Sequence, residues 1–421
     1  MSAQCSKYVR IANLTAHPTL LAKIARKCRY EKSLCHPNPH IFFFLQNKKG
    51  EKIRRVWKSF CNFVPTMKIA YDAKRYYHNR TGLGNYSRTL VSCMTSRHED
   101  VEAVLYDSKA IERTFRLGRK AAEEGCQLFH GLSNELPRDI VKAGIPSIVT
   151  MHDVAWRTFP DMYKPWDRLI YDWKYGWSAK HASHVVCISE STKRDVMRYY
   201  GVPENRISVI YQPVQEVFYT TPPPALPKGG SPPPLGELER GFLLTVGSIN
   251  SRKNLMGMVK ALEMIAEDER PLLVVVGNGR EYRRRVEQYI SEHHLQEWVR
   301  IESDIHDAET LRALYANALC LLYPSFYEGF GLPVVEASLQ RCPVITSNVS
   351  SLPEAAGPDS IQVDPSSPEE IAEALHRLLT DEAERRQRGE AGYKYCMEHF
   401  HPDVLTGQMY GLYEKMLRVK N

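Results

Sequence analysis

Two glutamates, Glu328 and Glu336, stand eight residues apart in PSFYEGFGLPVVEAS, residues 324–338. Gly329, Gly331 and Pro333 lie between them, and the apolar run LCLLY comes just before. Such a run reads as a buried strand. Pro333 suits the first turn of a helix, where its missing N–H costs nothing. The glycines leave the intervening backbone uncrowded. A helix N-terminus with bare amides and glycine access is a seat for an anion such as a phosphate. Carboxylates touching that phosphate would be repelled, so they should instead accept hydrogen bonds from neutral hydroxyls, as sugars offer. A nucleotide-diphospho sugar has hydroxyls on both sides of a diphosphate. That chemistry would use every part of the stretch: amides for the phosphate and one carboxylate for each flanking sugar. The spacing leaves a plainer reading equally open, in which Glu336, placed in the helix's first turn, favours its positive end and Glu328 is a solvated loop residue.

The elements around this turn must hold it in place. From Met67 the chain alternates strands and helices: MKIAYDA, then TGLGNYSRTLVSCM as a glycine turn entering a helix, then VEAVLY, CQLFHG and PSIVTMHD. HVVCIS with ESTKRDVMRYYG reads as strand, cap and helix, with Gly201 as its stop, and ISVIYQP closes this half. Residues 221–237, TPPPALPKGGSPPPLGE, hold too much Pro and Gly for helix or sheet and read as a surface linker. The pattern then restarts. GFLLTVGS, PLLVVVGNG, VRIES, LCLLYPS and PVITSN read as strands between amphipathic helices, and a long charged helical tail follows. This alternation predicts parallel-sheet α/β units. The expected organisation is an extension over 1–66, a first Rossmann-like domain over 67–220 and a second over 238–421 that carries the tail. Ligands of such sheets bind at the carboxyl ends of the strands.

A length of 421 residues fits two domains better than one core, and 43% hydrophobic with 25% charged residues is ordinary for a globular chain. The net charge of +7 is unevenly placed. Residues 1–66 hold 13 Lys or Arg against 2 Asp or Glu, leaving the remainder near −4. The body therefore gives no reason to expect nucleic acid as a partner. Three readings stand for the extension: a disordered segment, a basic arm in peripheral contact with an anionic membrane, or a start assigned upstream of Met67. The ten cysteines form no Cys-x-x-Cys pair and no ligand spacing, so reduced buried thiols in a cytoplasmic protein are expected. There is no secretory h-region and no apolar run of about 18 residues.

The segment YPSFYEGFGLPVVEASLQRCPVITSNVSSLPE resembles the signature of glycosyltransferase family 4, retaining enzymes of the α/β GT-B fold with two Rossmann-like domains facing an interdomain cleft. The family's Glu-x7-Glu motif falls on Glu328 and Glu336. MKIAYDA…TGLGNYS, MHDVAWRTFPDMY, VCISESTKRDV, VGSINSRKNL and VVGNG appear in the family's order, so the likeness runs from Met67 nearly to the C-terminus. It is greatest to the mannosyl- and rhamnosyltransferase-like branch of bacterial surface polysaccharide synthesis.

The resemblance implies roles for particular residues. Glu328 would contact the donor sugar and Glu336 the nucleotide ribose. Backbone amides around Gly329, Phe330, Gly331 and Leu332 would meet the sugar and distal phosphate, and Arg252 and Lys253 the diphosphate. His152, at the end of the strand in PSIVTMHD and just before Asp153, would lie near the reacting sugar, and Gly82 and Gly84 in the loop approaching the donor phosphate. Asp153 and Glu190 fit caps better than chemistry. Two positions depart from the family: Gly247-Ser248 stands where many members have Gly-Arg, with Arg252 as the substitute cation, and Arg341 replaces a common glycine. The implied function is transfer of a hexosyl group, mannose-like favoured, from a nucleotide-diphospho sugar to a hydroxyl of a saccharide or lipid-linked saccharide, with retention. No metal or other cofactor is expected, since the two cations and the helix amides take a metal's place. The rivals are a sugar-nucleotide epimerase on the same fold, which needs no acceptor, and a non-catalytic subunit of a polysaccharide assembly complex.

Overall fold

A computed structural model describes residues 66–79, 82–220, 241–305 and 307–418. The extension up to residue 65, its expected membrane contact and the linker 221–237 lie outside the described residues. Twelve strands among them form two parallel sheets. The first comprises β1 (Met67–Asp72), β2 (Val101–Tyr106), β3 (Leu128–Gly131), β4 (Ser147–Met151), β5 (His184–Cys187) and β6 (Ile207–Val209), in the order β2-β1-β3-β4-β5-β6. The second comprises β7 (Phe242–Val246), β8 (Leu272–Val276), β9 (Val299–Glu302), β10 (Cys320–Tyr323), β11 (Val344–Ser347) and β12 (Ile361–Val363), in the order β12-β11-β10-β7-β8-β9.

Helices cover both faces of each sheet, which is why these strands read as continuous apolar runs such as LLVVV in β8. Leu243, Leu273, Val275 and Leu322 pack on one side with Met258 and Leu262 of the helix Leu255–Glu263. Leu244, Val274, Leu321 and Tyr323 point to the other side, into a core with Val334 and Val335. The order reverses between β1 and β3 in the first sheet and between β7 and β10 in the second. Those reversals open crevices at the strands' carboxyl ends, where α/β sheets take ligands. The architecture is the GT-B arrangement of two Rossmann-like domains.

The charged tail differs from its expected form. It breaks at Asp381, whose side chain accepts from the Glu384 amide at 2.8 Å and starts a new helix, Glu382–His399. A further helix, Pro402–Arg418, leaves the second domain. Its Leu405 still lies in the second domain's core, while Met409, Leu412 and Tyr413 lie in the first's, against Ile69, Tyr71 and Leu128. An amphipathic stripe must bury itself, but its spacing does not name the partner. No described helix is long and apolar enough to cross a membrane. The six cysteines among the described residues are buried free thiols.

Candidate active site

At the second reversal, the turn after β7 meets the turn after β10. Ser251–Lys253 form one 3-10 turn, capped by the Asn250 side chain. Asn254 follows in a left-handed conformation at φ 61°, one that Asn tolerates. Its side-chain amide donates to the carbonyls of Pro324 at 3.1 Å and Pro365 at 2.6 Å, tying the basic turn to the end of β10. The Phe326 amide donates to the Arg252 carbonyl at 2.9 Å.

These ties bring Arg252, Lys253 and Glu328 into one cluster. Arg252 Nη1 lies 2.9 Å from Glu328 Oε2, and Lys253 Nζ lies 2.6 Å from Oε1. Arg252 also donates to the Tyr327 carbonyl and Lys253 to the Tyr323 hydroxyl. Glu328 is only 7% exposed. Burial alone would raise its carboxyl, but the two cations outweigh that and hold it down at about 2. Burial pulls Lys253 below its ordinary value, with the adjacent Arg252 adding to the effect and Glu328 opposing it. Asp153 is the next acid outward; burial raises its carboxyl and Arg252 opposes the rise.

Beyond Glu328 the loop turns into the helix Leu332–Leu339, with Gly331 at its N-cap. Gly331 has φ 119°, and a Cβ there would stand 2.8 Å from the Leu352 side chain. Ser351 Oγ donates to the carbonyls of Glu328 and Phe330, both at 2.8 Å, which fixes the loop from behind. Among the described residues no protein acceptor takes the amides of Gly329, Phe330, Gly331 or Leu332. Phe330's ring is in the core, stacked on Tyr211 at 5.3 Å. Glu336 is the fifth residue of the helix, past the first turn where the spacing put it. It is half-buried, accepts from the Tyr315 hydroxyl at 2.9 Å, and is pushed by burial up to about 7.

The first domain closes over this loop. A Cβ on Gly329 would stand 2.0 Å from the His152 carbonyl oxygen, so glycine is required for the approach. Ser189 Oγ donates to the Gly329 carbonyl at 2.6 Å, and the Tyr327 hydroxyl to Asp195 at 2.8 Å. Glu354 accepts from the amides of Glu190 at 2.8 Å and Ser191 at 3.0 Å, capping a helix of the opposite domain. His152 itself is buried, with Nε2 donating to the Leu132 carbonyl at 2.8 Å and Nδ1 2.7 Å from the Gln212 amide nitrogen. Burial lowers it to about 4 and keeps it neutral, with neither ring nitrogen free in this state.

The two N-domain glycines lie in the first turn of one helix. Gly82 opens the helix Gly82–Arg97 beside open space, while Gly84 packs inward, where a Cβ would lie 1.8 Å from the Asn79 carbonyl. Gly84 is thus explained by packing. At the first sheet's reversal, Arg113 bridges Asp72 at 2.6 Å and Glu135 at 2.7 Å, a buried pair of contacts that no motif marked. Sequence reasoning also missed Gln212, Tyr315 and Tyr323. Only Tyr323 left a trace, as the polar-tipped last residue of LCLLY. Arg341 has φ 58°, which accounts for glycine being common there. It is held by Glu390 at 2.7 Å and by the Tyr393 ring, 3.8 Å from its guanidinium carbon. Ser248 holds no cation in Arg252's neighbourhood; its hydroxyl accepts from Asn250 at 2.9 Å.

Residues 81–216 match the Glycosyltransferase Family 4 model and residues 233–395 the Glycosyl transferases group 1 model. The chain is 30% identical over 265 residues to O-antigen chain mannosyltransferase B of Escherichia coli, covering 61% of this chain and 66% of that protein. It is 26% identical over 217 residues to O-antigen chain mannosyltransferase RfbU of Salmonella typhimurium, covering 52% and 56%. The matches therefore stop short of two thirds of either relative. Among solved structures, sucrose-phosphate synthase from Thermosynechococcus elongatus superposes with a TM-score of 0.65 at 20% identity, over 84% of this chain and all of that one. Anabaena HepE in complex with UDP and glucose superposes with a TM-score of 0.64 at 14% identity, over 83% and 99%. The fold is GT-B, and the chain is related to the family 4 glycosyltransferases.

Proposed function

We propose that this GT-B relative of the family 4 glycosyltransferases moves a hexosyl group, mannose-like favoured, from a nucleotide-diphospho sugar to a hydroxyl of a saccharide or lipid-linked saccharide, with retention. The observation that carries this reading is the Arg252–Glu328–Lys253 cluster at the β7/β10 reversal, next to four amides without an acceptor among the described residues. Two cations and one anion leave a net positive seat for a diphosphate. Glu328 keeps the cations aimed and retains lone pairs for a sugar hydroxyl. Glu336, on the same helix and further in, would take the ribose.

As the glycosidic bond to phosphate breaks, charge grows on the departing diphosphate. Fixed donors there lower the barrier by roughly 2–4 kcal/mol each in a dry site. Contacts such as Ser189 with Gly329 close the cleft and exclude water. His152 has both ring nitrogens engaged, which favours the departing phosphate oxygen itself as acceptor of the hydroxyl's proton. Attack and departure on the same face then retain the anomeric configuration.

The test is a panel of nucleotide-sugars with and without oligosaccharide acceptors, following nucleoside diphosphate release and the anomeric coupling of the product by NMR. Acceptor-dependent release with a retained anomer is expected. Conversion of the donor's sugar without acceptor would make the protein an epimerase, and donor binding with no turnover on any acceptor would make it a non-catalytic subunit.

A further inference from the structure

The aromatic-rich segment after His152 splits into two faces. Trp156, Tyr171 and Tyr175 pack together, with centroids 5.2–5.4 Å apart. The opposite face carries Trp166 (77% exposed), Leu169 (60%), Ile170 (48%) and Trp173 (53%), at the i, i+3, i+4, i+7 spacing of one helical stripe. A stripe of this kind is normally buried; here it is turned outward. Trp173 is held in place by the Arg138 guanidinium, 4.0 Å from its ring, and beside Arg138 the neighbouring surface continues through exposed Val141.

This face also concentrates charge. Leaving out buried Arg113, segments 109–120, 138–142 and 157–180 hold eleven Lys or Arg against five Asp or Glu, whereas residues 67–421 as a whole are near −4. Exposed Lys109, Arg116, Lys142 and Lys164 lie in these segments. We propose that the Trp166–Trp173 stripe and its basic surroundings dock on an anionic lipid surface. Aromatic and aliphatic side chains on one exposed helical face, set among cations, fit the interface between headgroups and acyl chains. Leu169 and Ile170 offer no stacking platform to a sugar, and a second copy would bring like charge against like. The root of the segment reaches the cleft, since Phe159 meets the Tyr327 ring at 5.5 Å beside Glu328. Docking there would place the cleft's first-domain wall at the membrane, within reach of a lipid-linked hydroxyl. The surface does not depend on the donor chemistry proposed above.

The test uses the full chain with vesicles containing about one quarter anionic lipid at about 0.1 M salt. Trp166→Ser/Leu169→Ser/Trp173→Ser should partition at least about tenfold more weakly than the unaltered chain, with its melting temperature only slightly lower, since the three side chains are largely exposed and only the Trp173 stack on Arg138 is lost. Trp166→Phe/Trp173→Phe should still bind, but brominated acyl chains should quench its fluorescence less than they quench the unaltered protein's. Undiminished partitioning of the serine variant, as expected if the basic extension alone binds lipid, overturns the proposal. So does equal quenching in the phenylalanine variant. Loss of self-association in the serine variant with vesicle binding intact also overturns it and assigns the stripe to a second copy of the chain.

Discussion

Replacing Glu328 by glutamine keeps the side chain's shape and removes the charge that Arg252 and Lys253 share. The cations hold Glu328 at about 2, against an ordinary 4.5. At about 1.4 kcal/mol per unit, that difference is worth roughly 3 kcal/mol of stability. The sign follows from the depressed folded value: the stabilisation is present above pH 4.5 and is lost as pH falls through 2. Breaking a buried pair by removing one partner gives a similar figure, about 3–5 kcal/mol. Lys253, which burial already pulls down, can shed its proton and soften the loss. Glu328→Gln should therefore melt roughly 6–12 °C lower at pH 7, with the gap narrowing toward pH 2. A bound diphosphate takes Glu328's place in keeping Lys253 protonated, so nucleoside diphosphate should bind at least as tightly as before, while kcat for transfer falls by roughly 10²–10³-fold. Differential scanning fluorimetry across pH, calorimetry with nucleoside diphosphate and an acceptor assay read the three effects. A variant with unchanged melting and full transfer would refute the reasoning. So would one whose diphosphate affinity falls by the same factor as its rate, since Glu328 would then be holding the nucleotide and not aiming the cations.

Burial pushes Glu336 up to about 7, so it costs stability as pH rises from 4.5 through 7, and below 7 its carboxyl loses one of the acceptor oxygens proposed for the ribose. The donor KM should rise as pH falls from 8 to 6 and flatten in Glu336→Gln; the same slope in both would remove Glu336 from the site. His152 is held near 4, so its contribution to stability is lost only as pH falls from 6.5 through 4, and the transfer rate should show no His152 limb between pH 5 and 8. A limb in that range that vanishes in His152→Asn would contradict the locked ring. Gly329→Ala would push a Cβ against the His152 carbonyl, so kcat should drop more than about tenfold with nucleoside diphosphate binding retained. Arg341→Gly should relieve roughly 1–2 kcal/mol of left-handed strain while losing a stack and an exposed pair of about that size, leaving thermal stability near its starting value. Arg341→Ala keeps the strain and loses the contacts, so urea unfolding should show it to be the weaker of the two.

The alternation of strands and helices was legible from Met67 onward because strands buried on both faces read as short apolar runs. Gly331 and Pro333 marked the start of the helix that carries Glu336. The same spacing could not say how far along that helix Glu336 sits relative to the proposed phosphate seat, nor that Tyr315 would reach it from another helix. Arg252 and Glu328, 76 residues apart, meet because β7 and β10 are neighbours, a pairing that no local pattern encodes. Gly84 illustrates a residue whose type was legible and whose packing was not: a Cβ there would strike the Asn79 carbonyl, five residues upstream. The crossing of Pro402–Arg418 to the first sheet was hidden for the reason its stripe was visible, since Met409 and Leu412 would suit any apolar face.

The most direct measurement is a crystal structure with an intact nucleotide-diphospho sugar or its slowly reacting analogue. Phosphate oxygens are expected within about 3 Å of Arg252, Lys253 and the amides at Gly331 and Leu332, with Glu328 and Glu336 on hydroxyls to either side. A donor whose diphosphate lies away from the β7 and β10 turns, with the Arg252–Glu328–Lys253 cluster untouched, would contradict this placement.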